Sequence, residues 1–150
     1  MSVINDPVFG EMIYDYSWEK TEDFSAFGRD VEIHIVAKAY SGQEILEVQR
    51  NAYVKYMNNI PTYLKDVPEK LLEYYLNNYE QISSMADIPE KINKSNINKE
   101  LISKLIRIKT LYIDREGRYG WLCDCAWDIE HGICILLSNG ISIEEQDYLF

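Results

Sequence analysis

The stretch that decides the fold, residues 119–143, reads YGWLCDCAWDIEHGICILLSNGISI. Aromatic and cysteine side chains recur at every second position from Tyr119 to Trp127, and this period is typical of a β-strand with one buried face. A turn at Glu130-His131-Gly132 leads into a second strand over Ile133 to Ser138. Asn139-Gly140 then favours a type I′ hairpin turn, because both residue types tolerate positive φ. These signals together predict an antiparallel β-meander.

The segments around this stretch extend the strand prediction. Residues 105–113 are β-branched and apolar, and the turn residues 114–117 separate them from the meander. Near the start of the chain, residues 8–40 also predict short strands, with a turn between Asp23 and Asp30. After that turn Val31, Ile33 and Ile35 alternate with polar residues, as in a half-buried strand.

The middle of the chain predicts two helices. Ser41 is a favourable N-cap, and Glu44 three residues later completes a capping box. Apolar residues then recur at three- and four-residue spacing up to Pro61, where the helix should end or kink. A second helix is predicted over about residues 68–83. Residues 84–100 predict an exposed connection with one helical turn near its end.

Taken together, these elements predict an α+β fold. It consists of short N-terminal strands, a two-helix middle and a C-terminal antiparallel β-meander. We expect a single domain spanning residues 1–150, because a chain of this length forms one hydrophobic core.

The charge of the chain limits its partners. The formal net charge is −10, with six acids and no lysine or arginine in residues 119–150. Binding to nucleic acid or to an anionic membrane needs a basic surface, so we expect neither. An acid-rich segment could attract a basic protein partner; alternatively, the acidity serves only solubility.

The cysteine count and the first residues suggest a compartment. Three cysteines is an odd number, and the initial residues lack the basic and apolar regions of a signal peptide. We expect a reduced, cytoplasmic protein.

The densest group of reactive side chains lies between Cys125 and Gly132. A carboxylate beside a histidine, as in Asp128, Glu130 and His131, can orient the imidazole for acid–base chemistry. The same residue types also build turns, so a structural role is the alternative.

The cysteines raise two further hypotheses. Cys123, Cys125 and Cys134 with His131 could bind zinc, but the C-x-C spacing is shorter than that of ordinary zinc sites. A cysteine nucleophile with His34 or His131 as base lacks any known surrounding signature. We therefore predict no metal, no cofactor and no catalytic residue.

Several motifs resemble a group of small bacterial domains of unknown function. They are the turn W-D-x-E-H-G at 127–132, the Asn139-Gly140 hairpin and the terminal Gln146-Asp147. Some similar proteins are immunity proteins, which neutralise a cognate toxin. The residues of interest that the resemblance implies are Trp127, Asp128, Glu130, His131, Gly132, Gln146 and Asp147.

These observations favour a non-enzymatic protein-binding domain, in the form of an immunity protein bound to a basic toxin. The alternative is a small hydrolase or ligand-binding domain that uses Asp128, Glu130 and His131. The two differ in whether these side chains line a concave cleft or only close a hairpin.

Overall fold

The computed structural model describes residues 2–85 and 94–150. One sheet of eight strands dominates it. The strands are β1 Val3–Asp6, β2 Gly10–Tyr14, β3 Trp18–Ala26, β4 Arg29–Ala37, β5 Ile106–Ile113, β6 Tyr119–Cys125, β7 Ile133–Leu136 and β8 Ser142–Glu145. The helices are α1 Glu47–Asn77, α2 Tyr79–Met85 and α3 Lys99–Lys104, and a 3₁₀ turn spans Gln146–Leu149.

The strands lie in the sheet in their chain order. Strands β1 to β4 pair antiparallel, as do β5 to β8, whereas β4 and β5 are parallel. A parallel pair needs a crossover connection, and the three helices lie in it. The fold is therefore α+β: two four-stranded meanders joined by one helical crossover. None of the described helices has an apolar stretch long enough to cross a membrane.

The N-terminal strands form as predicted, but their turn is shorter. Strand β3 continues to Ala26, which pairs directly with Arg29. Only Phe27 and Gly28 connect them, with φ of 54° and 78°. Two successive positive φ values match a type I′ connection, so most of the predicted turn at 23–30 is strand.

The helical middle differs from the prediction. A single 31-residue helix replaces the predicted break, and residues 2–85 and 94–150 contain three helices instead of two. Ser41 lies in a turn, and α1 begins at Glu47. There Gln49 Oε1 accepts a hydrogen bond from the Leu46 N–H at 3.0 Å. The Gln49 amide also donates to the carbonyl of Lys38 at 2.9 Å. The start of α1 is therefore set by contacts with distant loops.

Both Pro61 and Pro68 lie inside α1. A proline in a helix interior removes one backbone hydrogen bond and costs about 3 kcal/mol or more. The helix nevertheless continues, because its buried face contacts the sheet on both sides of the prolines. Each large buried side chain there contributes roughly 1.5–3 kcal/mol. The buried apolar residues of this face are Ala52, Tyr53, Tyr56, Tyr63, Val67, Pro68, Leu71 and Tyr75.

The second predicted helix is divided. Helix α1 ends at Asn77, and α2 covers Tyr79–Met85. Of the connection predicted over 84–100, residues 86–93 lie outside the described residues. The helical turn predicted near its end is α3, capped by the Asn98 side chain, which accepts from the Leu101 N–H.

The main core lies between α1 and the sheet. The indole of Trp121 donates to the Tyr56 hydroxyl at 3.0 Å, and the hydroxyls of Tyr63 and Tyr119 are 2.6 Å apart. These hydrogen bonds satisfy buried polar atoms within an aromatic cluster. The alternating residues predicted from Tyr119 to Trp127 all lie in this core, but the strand itself ends at Cys125 and Trp127 follows in a turn.

A smaller apolar cluster lies on the opposite face of the sheet. It consists of Leu122, Cys134, Leu136 and Leu149, with Tyr112 packed against it. Leu149 belongs to the 3₁₀ turn, so this cluster holds the C-terminal segment against the sheet.

The C-terminal meander is present, with a different hairpin. Leu136 pairs with Ser142, which leaves a connection of residues 137–141. Gly140 has a φ of 79°, but Asn139 is not in the positive-φ region, so the turn is not type I′. The N–H groups of Leu137 and Ser138 both donate to the carbonyl of Tyr119. These bonds hold the chain against β6 beyond the end of β7 and lengthen the connection.

Candidate functional site

A cleft of about 450 Å³ lies between the loop after β6 and the C-terminal segment. We call it the acidic cleft. Its lining residues are Asp128, Glu130, His131, Gly132, Glu145, Gln146, Asp147 and Phe150. Six of the seven residues that the sequence suggested thus meet at one concavity, although they come from two segments of the chain.

The loop wall of the acidic cleft is organised around Asp128. Its Oδ1 accepts the backbone N–H of His131 at 3.2 Å and lies 2.9 Å from the imidazole Nδ1. The Asp128 backbone N–H donates to the Cys125 carbonyl, and its carbonyl accepts from the Gly132 N–H at 2.9 Å. Four hydrogen bonds therefore fix this short turn and the orientation of the imidazole.

The imidazole is accessible, with a His131 side chain that is 75% exposed. The hydrogen bond to Asp128 raises the pKa of His131 above 6.5, and the negative charges of Asp128, Glu130 and Glu145 act in the same direction. Asp128 stabilises the protonated imidazole, so His131 gains a positive charge more readily here than in water.

Gly132 is required by the geometry of the turn. Its φ is +68°, and a Cβ at this position would overlap the carbonyl oxygen of Cys123 in β6. The same Cβ would approach the Gln146 side-chain amide to 3.3 Å. The absence of a side chain lets the turn pack on the strand and lets Gln146 close over it.

Trp127 lies outside the acidic cleft. It is 3% exposed and packs with Tyr74 and Tyr75 of α1, at ring-centroid distances of 6.3 and 6.0 Å. Its position anchors the start of the loop in the main core.

The second wall of the acidic cleft is the C-terminal segment. Leu149 is buried in the smaller cluster, and the ring of Phe150 meets that of Tyr112 with centroids 5.1 Å apart. Glu145 at the end of β8, followed by Gln146 and Asp147, lines the edge of the cleft ahead of these anchors.

The sequence prediction missed Glu145 and Phe150 as lining residues. Glu145 pairs with Ile133 across the β7–β8 hairpin, which places it beside Gly132. Pairing the residues on either side of the predicted Asn139-Gly140 hairpin, one by one, would have placed the segment at 145–147 beside the turn at 128–132. Phe150 carried no such signal in the sequence.

The charges of the acidic cleft are one-sided. Asp128, Glu130, Glu145 and Asp147 line it, and in the described part of the chain no lysine or arginine does. Within the described residues, the only ion pair that these carboxylates form is that of Asp128 with His131. The cleft therefore has a negative potential that favours a cationic group.

The cysteines do not form a common site. Cys123 and Cys125 lie in the main core, whereas Cys134 belongs to the cluster on the opposite face of the sheet. Burial raises the pKa of Cys125 to about 12 and that of Cys134 to about 12, so both remain protonated thiols. Among residues 2–85 and 94–150, no group of three His, Cys, Asp or Glu residues could hold a metal ion.

The geometry also separates His34 from the buried thiols. Its neighbours Ile33 and Ile35 point into the main core together with Cys123 and Cys125. His34 itself is exposed on the other face of the sheet. This arrangement gives no support to a cysteine nucleophile activated by His34.

Fold and site together define a class: an eight-stranded mixed sheet crossed by one long helix, with an acidic cleft at one end. Comparison of the sequence with known families then shows that the chain belongs to the family described as domain of unknown function DUF6985, which matches residues 8–149. The expected membership of a family of unknown function is thereby confirmed. No curated protein and no solved structure matches the chain.

Proposed function

We propose that the chain is a non-enzymatic binding protein whose acidic cleft receives a lysine or arginine side chain of a basic protein partner. The observation that carries this proposal is the convergence of four carboxylates from two segments on one concavity, which no lysine or arginine of the described residues lines. Unpaired carboxylates attract a cationic side chain and can accept its hydrogen bonds.

Phe150 supports the same ligand. Its side chain is 63% exposed and lines the acidic cleft beside the carboxylates. Lysine and arginine have long apolar stems, and an aromatic ring can pack against the stem or against the cationic group. The cleft thus offers contacts for both parts of such a side chain.

The particular form that we propose is an immunity protein that neutralises a basic toxin in the cytoplasm. The motifs that carry the resemblance to the group of small domains contribute six residues to the acidic cleft. They are Asp128, Glu130, His131 and Gly132 of the turn and the terminal Gln146 and Asp147. The three buried, unpaired cysteines are compatible with a reducing compartment.

Purification of partners with the tagged chain tests the proposal. We compare the wild type with a cleft variant, Glu130→Gln/Glu145→Gln/Asp147→Asn. The control variant, Glu69→Gln/Glu73→Gln/Glu80→Gln, removes the same charge from exposed helical positions.

We expect the wild type and the control to retain a stoichiometric basic partner that is released as salt rises. The cleft variant should lose at least tenfold in affinity, since each lost ion pair in a desolvated contact is worth about 1.4 kcal/mol or more. Equal retention by the cleft variant would refute the proposal. Protection of cells against the expressed partner then tests neutralisation.

Charge reversal at Asp124 provides an additional check. Its carboxylate lies 3.7 Å from the Lys109 ammonium and does not line the acidic cleft. We expect Asp124→Lys to affect partner binding less than Asp128→Lys or Glu130→Lys.

A second candidate function is hydrolysis, and one observation favours it. The Asp128–His131 pair presents an oriented and accessible imidazole to the cleft, which could act as a general base. Among the described residues, no serine, threonine or cysteine lines the cleft, so this candidate uses water as the nucleophile. Turnover of ester or amide substrates that is lost in His131→Gln would support this candidate over the binding proposal.

A further inference from the structure

A second concavity lies on the other side of the loop that follows β6. It has a volume of about 280 Å³, and its charged lining residues are Arg29, Lys104, Arg107 and Asp124. We call it the basic groove. The acidic cleft and the basic groove thus flank one short loop.

The two arginines of the basic groove have no carboxylate partner among the described residues. Arg29 donates from Nη2 to the backbone carbonyl of Lys104 at 2.6 Å. Arg107 lies opposite Asp124 in the β5–β6 pair but forms no ion pair with a described residue. The Lys104 ammonium lies 3.5 Å from the Glu100 carboxylate, so the two arginines are the uncompensated charges of the groove. The one carboxylate of the groove, that of Asp124, lies 3.7 Å from the Lys109 ammonium. The groove is therefore a positive surface on a chain whose net charge is −10.

Ile129 separates the two charged surfaces. It is 66% exposed at the loop between β6 and β7 and lines the basic groove. Its neighbours Asp128 and Glu130 line the acidic cleft. A large apolar side chain is thus presented to solvent between carboxylates on one side and guanidinium groups on the other.

We propose that the chain self-associates as a two-fold dimer through this end of the sheet. The acidic cleft of each protomer faces the basic groove of its partner, and the two Ile129 side chains meet near the axis.

Symmetry and charge identify a second copy as the occupant. A two-fold interface uses the same patch on both subunits, so the patch must be complementary to itself. Adjacent surfaces of opposite sign on either side of an apolar residue meet this condition, because rotation by 180° exchanges them. Unpaired arginines are also common in protein interfaces, where they pair with carboxylates.

The experiment measures the mass of the purified chain by analytical ultracentrifugation over a range of concentrations at 0.15 M salt. At this ionic strength the repulsion between the net charges is screened beyond about 8 Å, while contacts at the interface persist. We expect the wild type to form a dimer, and Ile129→Ser to weaken dimerisation at least tenfold. A wild type that stays monomeric throughout would overturn the proposal.

Two charge variants test the arrangement without assuming which side chains touch. In Arg29→Glu/Arg107→Glu both surfaces are acidic. In Glu130→Lys/Glu145→Lys/Asp147→Lys both are basic, because the carboxylate left in the acidic cleft is that of Asp128, which is paired with His131. Each variant alone should be monomeric. An equimolar mixture should form a heterodimer, since every contact then joins opposite charges. Circular dichroism checks that both variants are folded.

The result is independent of the proposed function, because only this chain is present. A mixture of folded variants that does not associate would refute the two-fold arrangement. It would not affect the proposal that the acidic cleft binds a basic partner. Conversely, a heterodimer would support the dimer even if no basic partner is found.

Discussion

Substitution of Gly132 by alanine tests how the turn that carries the acidic cleft is built. Two separate effects oppose a side chain there. The backbone has a φ of +68°, and a Cβ would overlap the carbonyl oxygen of Cys123. Positive φ costs a residue other than glycine roughly 1–2 kcal/mol, and overpacking against a fixed neighbour costs about 1–3 kcal/mol. We expect Gly132→Ala to lower the free energy of unfolding by about 3 kcal/mol.

Two other glycines provide matched controls. Gly140 has a φ of +79° with nothing within 4 Å of an added Cβ, so Gly140→Ala should show the backbone effect alone, about 1 kcal/mol. Gly120 has no positive φ, but its Cβ would lie 2.5 Å from the carbonyl oxygen of Ile135. Gly120→Ala should therefore show the steric effect alone, about 2 kcal/mol.

Urea unfolding followed by circular dichroism measures all three variants. With the free energy of unfolding linear in urea, equal slopes for all variants would show that only stability has changed. A loss of about 3 kcal/mol should lower the melting temperature of a chain of this size by roughly 6–12 °C. The reasoning is refuted if Gly132→Ala is no more destabilising than Gly140→Ala.

Three further predictions concern side chains. Tyr119→Phe should destabilise the fold by about 1–2 kcal/mol in urea unfolding, because it leaves the buried Tyr63 hydroxyl unpaired, and Tyr63→Phe added to it should recover part of the loss. Burial opposes ionisation of Asp6, but backbone and arginine hydrogen bonds outweigh it and hold its pKa below 3.8. The contribution of the Asp6 carboxylate to the stability of the fold is therefore present above pH 3.8 and is lost as the pH falls through the pKa of the folded state. The melting temperature of Asp6→Asn should lack this acid dependence. Asp128→Asn should lower the pKa of His131 measured by NMR, whereas an unchanged pKa would mean that the pair does not form in solution.

The strands were predictable because their signal is local. The alternation at Val31, Ile33 and Ile35 and that from Tyr119 to Cys125 report directly which side chains face the core. The two-residue period assigns side chains to the two faces of a strand, although it did not reveal that Leu122 on the opposite face of β6 is also buried. The main strands and the C-terminal meander therefore followed from the sequence.

The helix boundaries were not predictable because they depend on distant contacts. The side chain of Gln49, at the start of α1, bonds to the carbonyls of Lys38 and Asp114. Ser41 matched a local capping motif that could not reveal these partners. In the same way, Pro61 ends a helix by local rules, but burial of residues beyond it keeps α1 continuous.

The acidic cleft was predictable in part. The turn at 128–132 and the pair Gln146-Asp147 were both identified, whereas their convergence depends on the pairing of β7 with β8. Glu145 was not among the residues that the sequence suggested. Phe150 enters the cleft through its packing on Tyr112, a contact between the residue after the 3₁₀ turn and β5 that no short-range pattern predicts.

The two proposals are linked, because the second copy and the basic partner would occupy the same cleft. Only the monomer then binds the partner, so the apparent dissociation constant equals the intrinsic one divided by the monomer fraction. At a concentration where roughly nine-tenths of the chain is dimeric, partner affinity should be about tenfold weaker than in dilute solution. Titration calorimetry at two chain concentrations measures this difference. Ile129→Ser is the control, since Ile129 lines the basic groove and not the acidic cleft. Its partner affinity should not depend on concentration. If the dimeric wild type binds the partner as tightly as Ile129→Ser does, the two contacts use separate surfaces and the shared cleft is ruled out.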